Sequence, residues 1–288
     1  MILTFLYCEG PHDMAFLAKL IKEAKQAKSE INKVADLPET IKKLVSSAID
    51  KVENESIRID KPLQVFFPNK VFALKGEHYI CLYSMGGKDR LNASLQNIKD
   101  SKLLISHKKI TKVDSVRHAF VLDADYRFLE NGQENEKGGI ENTLKNLSTE
   151  IKKVIDDFPS FEKHASWLET DYGDIGNFIF TDSTNTEGTL EDLLETLIKD
   201  NTKPMIAHSE DFCDQVKAFD ALRKAKTKDK TKIQKIKFTS ITQVYHPGSS
   251  LAVGLQNDKI IDSEKIKKDK IVTEFESFID FRLEKPAR

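Results

Sequence analysis

The sequence predicts an α/β protein with a mostly parallel sheet, a helical insertion near the N-terminus and a helical, lysine-rich C-terminal extension. Three observations point there. Apolar runs of strand length recur along the chain, apolar residues at helical spacing follow most of them, and short turns with Gly or acids stand between. Strands alternating with helices make βαβ units, whose crossovers keep neighbouring strands parallel.

The first run, Ile2 to Tyr7, ends at Glu9-Gly10-Pro11. Pro11 suits the first turn of a helix, where its missing N–H would have had no partner anyway. Phe16, Leu17, Leu20 and Ile21 then repeat at helical spacing. A second helix is expected after Asp36-Leu37-Pro38, with Ile41, Leu44, Val45, Ala48, Ile49 and Val52 on one stripe. Residues 28–60 therefore read as a helical insertion or outer layer. A strand from His78 to Ser84 ends in Gly86-Gly87 and leads to a short helix from Asp89 to Ile98. The next strand, Arg117 to Leu122, ends in Asp123-Ala124-Asp125. A loop from Asn131 to Gly139 precedes a helix over Ile140 to Asp156. A strand Asn177 to Phe180 and a helix from Thr189 to about Lys199 follow. Beyond residue 200 the pattern is helical, with Phe212 to Ala225, a stretch from Lys230, and Ile271 to Leu283. This organisation predicts an α/β domain over 1–200 and an extension over 201–288 packed on it.

Composition narrows the class. The 288 residues carry 45 Lys and Arg against 46 Asp and Glu, a net charge of −1, so no global charge points to a partner. No apolar run approaches a membrane span, and MILTFLYCEG lacks the basic start of a signal peptide. Cys8, Cys81 and Cys213 lie far apart, which argues against a disulfide scaffold or a zinc finger and suits a reducing, cytoplasmic setting.

Ligand sites in parallel sheets sit at the carboxyl ends of the strands. Glu9, Gly86-Gly87, Asp123, Asp125 and the 182–192 loop all fall at such ends. A carboxylate pair two residues apart says little alone, since about seven are expected by chance at this acid content. FVLDAD adds context: a buried strand delivers Asp123 and Asp125, and extended chain would point both side chains the same way. Two like charges there are costly unless a cation lies between them, so the pair reads as metal ligands rather than exposed turn aspartates. Asp13, four residues after Glu9, either complements the helix dipole or joins Glu9 as a ligand. Thr189 and Asp192 match a capping box, which makes Asp192 structural or a ligand. Leu190, Leu193, Leu194 and Leu197 form a stripe that turns Glu191 away from the core and leaves it the better metal candidate.

Carboxylates of this number suit one or two hard cations, Mg²⁺ or Mn²⁺. Two such ions about 4 Å apart can hold the attacking and leaving oxygens of a phosphoryl displacement. No HExxH, GxSxG or GxxxxGK[ST] offers a rival chemistry. Met85-Gly86-Gly87-Lys88 is a weak phosphate-loop candidate, more often a plain turn. Arg223 to Lys237 holds eight basic residues against one acid, Asp229. Such a run is either a solvated face or, beside metal-binding acids, a track for a nucleic-acid backbone.

A Glu-Gly at the first strand end, an Asp-x-Asp at a later one and acids after a further strand resemble the Toprim fold. That Rossmann-like catalytic domain is shared by topoisomerases, bacterial primases, ribosomal RNA maturases and the overcoming-lysogenization-defect (OLD) nucleases. CEGPHDMAFLAKLI, FVLDADYRF and GTLEDLLETLI look most like the OLD-like and small standalone Toprim proteins, over roughly residues 1–200. The resemblance implies that Glu9 is a metal ligand and general acid or base, and that Asp123 and Asp125 hold a first metal. Asp13 and Glu191, with Asp192, would complete a second site. It also implies a catalytic lysine after these motifs, Lys230 or Lys232.

Departures matter. Asp13 stands where many OLD-like relatives have Glu, and neither a primase zinc module nor a topoisomerase tyrosine domain is present. OLD nucleases carry a fused ATPase, whereas this chain has no P-loop, so an ATPase regulator would be a separate protein. Such pairings occur in phage defence. The expected activity is therefore a divalent-metal-dependent nuclease acting on DNA or RNA, with a defence role. The alternatives are a non-catalytic Toprim module that binds nucleic acid or a partner, and a haloacid-dehalogenase-like phosphatase. The last also uses Asp-x-Asp, but at its first strand and followed by Thr or Val, where Tyr126 stands here.

Overall fold

The apolar run at the N-terminus becomes the middle of a sheet. In a computed structural model that describes residues 1–23, 29–45, 66–105, 109–110, 112–128, 134–182, 184–217, 230–257 and 259–280, β1 (Ile2–Cys8) pairs in parallel with two strands. On one side lies β4 (His78–Ser84) and on the other β5 (Ser115–Asp123). Next to β5, also parallel, lies β7 (Gly173–Phe180). Antiparallel strands close both edges: β2 (Ser29–Ile31) and β3 (Lys70–Ala73) beside β4, and β6 (Ser166–Thr170) beside β7. Among the described residues the order is β2-β3-β4-β1-β5-β7-β6, a seven-stranded, mixed and largely parallel sheet.

Alternation along β1 sorts the two faces. Leu3, Phe5 and Tyr7 join one core, while Leu6 and Cys8 join the other. The first core lies beneath a helix over residues 39–45 (α2), α3 (Leu91–Asp100) and α4 (Ile140–Lys152). On α4, Leu144, Leu147 and Ile151 form the buried stripe, at spacings of three and four that share one helix face. The second core is covered by α1 (Pro11–Glu23) and α5 (Leu190–Leu197). Each fully buried Leu or Phe of this kind contributes about 1.5–3 kcal/mol.

The C-terminal helices pack on that second face. They are α6 (Pro204–Lys217), α7 (Lys230–Tyr245), α8 (Leu251–Leu255), α9 (Ser263–Ile266) and α10 (Lys270–Asp280). Phe238, Leu255 and Phe275 share one core with Phe16, Phe178 and Leu194. Among the described residues no helix is long and apolar enough to cross a membrane, and Cys8, Cys81 and Cys213 are buried without a disulfide.

Several sequence expectations shift. The segment 28–60 does not begin as a helix: β2 adds a strand to the sheet and a 3₁₀ turn (Val34–Asp36) precedes α2. Ala48, Ile49 and Val52 lie outside the described residues. The three antiparallel strands went unpredicted, because β2 and β3 are only three and four residues long and β6 is only half-buried. β7 starts four residues before Asn177. Its buried polar residues break the apolar run, and Asp174 is retained there by the buried Arg117, 4.0 Å away. The first C-terminal helix begins at Pro204 rather than Phe212, and Ala218 to Ala225 lie outside the described residues.

Candidate metal centre

The four parallel strands deliver their carboxyl ends to one rim of the sheet, where β1 has neighbours on both sides and the connections leave in opposite directions. Such a switch point is where α/β sheets bind ligands. Two backbone bonds carry the β1–β4 ladder past the strand ends: the Met85 amide donates to the Cys8 carbonyl (2.8 Å) and the Gly87 amide to the Glu9 carbonyl (2.6 Å). Gly87 reaches Glu9 at φ +119°, a conformation that a side chain would oppose. The turn therefore sets Lys88 beside Glu9.

Glu9, Asp13 and Asp123 are each held by a backbone amide. Glu9 Oε1 accepts from the Asp123 amide at 2.9 Å, tying the ends of β1 and β5 together. Asp13 Oδ2 accepts from the Gly10 amide at 2.8 Å, a capping contact at the start of α1. Asp123 Oδ1 accepts from the Leu190 amide at 2.8 Å, the first residue of α5. A helix N-terminus carries partial positive charge, so α5 favours an anion at that position.

Asp125 departs from the extended geometry expected of Asp-x-Asp. Its backbone lies at φ +58°, held by a pair of bonds with Gly188 (2.8 and 3.1 Å). Gly188 is itself at φ +111°, and a Cβ there would come within 2.5 Å of the Asp182 nitrogen. The chain turns between the two aspartates, and Asp125 meets Lys88 instead: Lys88 Nζ donates to Asp125 Oδ2 at 2.7 Å, to the Asp123 carbonyl at 3.1 Å and to Thr143 Oγ1 at 3.3 Å.

Glu191 is 1% exposed. The leucine stripe does turn it from the apolar core, yet the space it enters lies among the other acids rather than in solvent. Among the described residues its Oε2 is buried without a hydrogen-bond partner, and His12 Nδ1 stands 3.9 Å from Oε1. His12 is thus half-buried beside the acids.

The acids feel one another. Burial, then the charges of Asp13, Glu9, Glu191 and Asp125, push the Asp123 carboxyl well above the usual carboxylate range. Burial lifts Glu9 to about 8, with Lys88 pulling the other way and Asp13 adding to the rise. Burial lifts Asp13 to about 6, opposed by the Gly10 amide and helped by Glu191.

Asp192 has a different job. The Thr189 amide donates to it at 2.8 Å, Tyr126 Oη at 2.7 Å and Gln234 Nε2 at 3.1 Å. It closes the capping box of α5 and anchors α7, which leaves its oxygens engaged.

Lys230 and Lys232 fall on the first turn of α7, and their side chains lie outside the described residues. One turn further on, Lys235 interacts with the site. Partial burial opposes its charge, but Glu191, Asp123, Asp13 and Glu9 hold its ammonium above the ordinary lysine value. Sequence reasoning missed Lys235 because eight basic residues crowd the segment; the helical period of α7 was the one usable signal. Lys88 stands in the sequence only as the end of a weak phosphate-loop candidate, Met85-Gly86-Gly87-Lys88, and not as a partner of the acids.

The donor set fits a hard divalent cation: buried carboxylate oxygens, mutual repulsion and, among the described residues, one unpartnered carboxyl oxygen on Glu191. Among the described residues, however, no three His, Cys, Asp or Glu side chains stand close enough to hold an ion as they are. Binding one requires side chains to rotate off their present partners, Asp125 off Lys88 above all. Beside the acids, a cavity of about 360 Å³ opens between α3 and α4, with Glu9, Lys88 and Asp125 at one end.

Fold and site together define an α/β protein with a cluster of buried acids at the switch point of a largely parallel sheet. The chain belongs to the DUF3226 family, described as protein of unknown function, which it matches over residues 4–280. It is also similar to a solved structure, "hypothetical protein PH0156 from Pyrococcus horikoshii OT3", at 13% identity and a TM-score of 0.43, across 98% of this chain and 95% of that one. No match was found among curated proteins.

Proposed function

We propose that this protein is a Mg²⁺- or Mn²⁺-dependent nuclease of the Toprim, OLD-like type that hydrolyses phosphodiesters of DNA or RNA. The observation that carries the reading is the burial together of Glu9 and Asp123, at the ends of the adjacent parallel strands β1 and β5, with Asp13 and Glu191 in the first turns of α1 and α5, close enough to disfavour one another's charge. So many buried carboxylates in one place are costly without a cation to share.

Asp123, Asp13 and Glu191 would hold one or two ions, with Asp125 joining once released by Lys88. A bound divalent ion supplies Lewis acidity toward a phosphoryl oxygen and cancels the repulsion among the acids. Glu9, lifted to about 8, is suited to hold or pass a proton at its carboxyl near neutral pH. Lys88 and Lys235 are the cations on hand for the non-bridging oxygens of the scissile phosphate. The basic segment before and along α7 would track the backbone of a nucleic acid, giving sequence-tolerant, salt-sensitive binding. Control by a separate ATPase and a role in phage defence belong to the same proposal.

The test is cleavage of plasmid, linear DNA and structured RNA with Mg²⁺ and with Mn²⁺, comparing the native protein with Glu9→Ala and Asp123→Ala. Metal-dependent cutting lost in both variants is the expected result. Absence of both cutting and metal binding in the native protein refutes the reading. A non-catalytic binding module is the second reading, favoured by the Lys88–Asp125 ion pair, which already neutralises one of the acids.

A further inference from the structure

The cavity beside the acids has a lining that the metal site does not explain. Lys88, Glu9 and Asp125 mark its inner end, Asn92 of α3 and Asn146 of α4 face it from the walls, and Lys137 stands on the loop that precedes α4. The remaining acids on it are Asp89 and Glu150. Glu150 is already committed, to Lys153 at 2.5 Å and to the Asn92 amide at 2.7 Å.

Acids on this lining outnumber lysines, and Lys88 is itself engaged with Asp125. A run of phosphates would be repelled here. Side-chain amides, by contrast, both donate and accept, as the edge of a nucleobase does. About 360 Å³ falls within the roughly 300–1,000 Å³ of small-molecule sites, enough for one nucleoside and too small for a duplex.

Resting on the nuclease reading above, we infer that this groove takes the sugar and base of a single unpaired nucleotide whose phosphate lies at the Glu9 end. The substrate is then a strand that is single, looped or frayed at the cleaved position, because a base held in a stacked pair cannot enter. Among the described residues no aromatic side chain lines the groove, so recognition by these residues runs through hydrogen bonds rather than stacking.

The experiment is calorimetric titration of the whole protein, with Mg²⁺ present, with inorganic phosphate, ribose 5-phosphate and each of the four ribonucleoside 5′-monophosphates. At least one nucleotide should bind about tenfold more tightly than ribose 5-phosphate, and Asn146→Leu should erase that difference while inorganic phosphate binds as before. Retained phosphate binding shows that the variant is folded. If phosphates bind in a Mg²⁺-dependent way with no preference for a base, the groove assignment fails and the metal site stands. If no phosphate binds in a Mg²⁺-dependent way, the nuclease reading fails and takes the groove with it.

Discussion

Lys88 Nζ lies 2.7 Å from Asp125 Oδ2, so a lysine holds an acid that sequence spacing assigns to a metal. The pair is largely buried, and the same ammonium also bonds the Asp123 carbonyl. Lys88 acts as a built-in counter-ion to Asp125, which a divalent cation bound as proposed would have to displace. Lys88→Met should lower the thermal stability of the metal-free protein, by about 1–3 kcal/mol, because Asp125 is left without its partner. It should also enlarge the gain in Tm on adding Mg²⁺. A Tm gain smaller than that of the native protein would show that Lys88 and the metal do not compete.

Stability of the metal-free protein should fall as pH rises. Glu9 is lifted from 4.5 to about 8 and Asp13 from 3.8 to about 6, in both cases chiefly by burial. Between those values the folded state holds protons that the unfolded chain has released, so unfolding releases protons and stability drops with increasing pH. The contribution is complete below the unfolded values and lost as pH climbs through the folded ones. Thermal melts between about pH 4 and pH 8.5 measure this, and saturating Mg²⁺ should flatten the slope by favouring the ionised carboxylates. An identical slope with and without Mg²⁺ would remove these acids from the metal site.

Glu191→Gln should weaken Mg²⁺ or Mn²⁺ binding roughly 10- to 100-fold. It should leave the metal-free fold at least as stable, since it takes one charge out of a repelling group. Metal titration by calorimetry reads the first effect and thermal melts the second. Unchanged metal affinity would make Glu191 a bystander.

Asp192→Ala should do the opposite. Loss of the α5 cap and of the Tyr126 and Gln234 contacts should cost about 1–2 kcal/mol or more of stability, with metal affinity retained. A selective loss of metal binding at unchanged Tm would restore Asp192 to the ligand set.

Lys235→Met should reduce the cleavage rate about 100-fold while metal affinity stays within a few-fold of native. Lys230→Met and Lys232→Met provide the comparison. If either of those is the more damaging, the lysine that faces the phosphate lies earlier on α7.

Much of this architecture is written in local pattern. The run Ile2–Cys8 reads as a buried strand because apolar residues fill both faces, and Pro11 with Phe16, Leu17 and Leu20 reads as the helix after it. The ends of β1, β4 and β5 were legible for the same reason, and with them Glu9, the Gly86-Gly87 turn and Asp123. Short edge strands were not, because four or five half-buried residues carry too little periodicity to separate them from loop.

The amino-acid sequence alone determined the layered α/β architecture and the kinds of residue at the strand ends, since both follow from short-range periodicity and turn chemistry. Tertiary structure decided which of those residues meet. Asp125 turns at φ +58° because Gly188 pairs with its backbone. Glu191 is buried among acids because the first turn of α5 meets Asp123 at the end of β5 and His12 at the start of α1, Asp192 is taken by contacts from β5's loop and α7, and Lys235 comes within reach of acids more than 40 positions away. Burial and electrostatic coupling between distant segments depend on how elements stack, and no local pattern contains that distance.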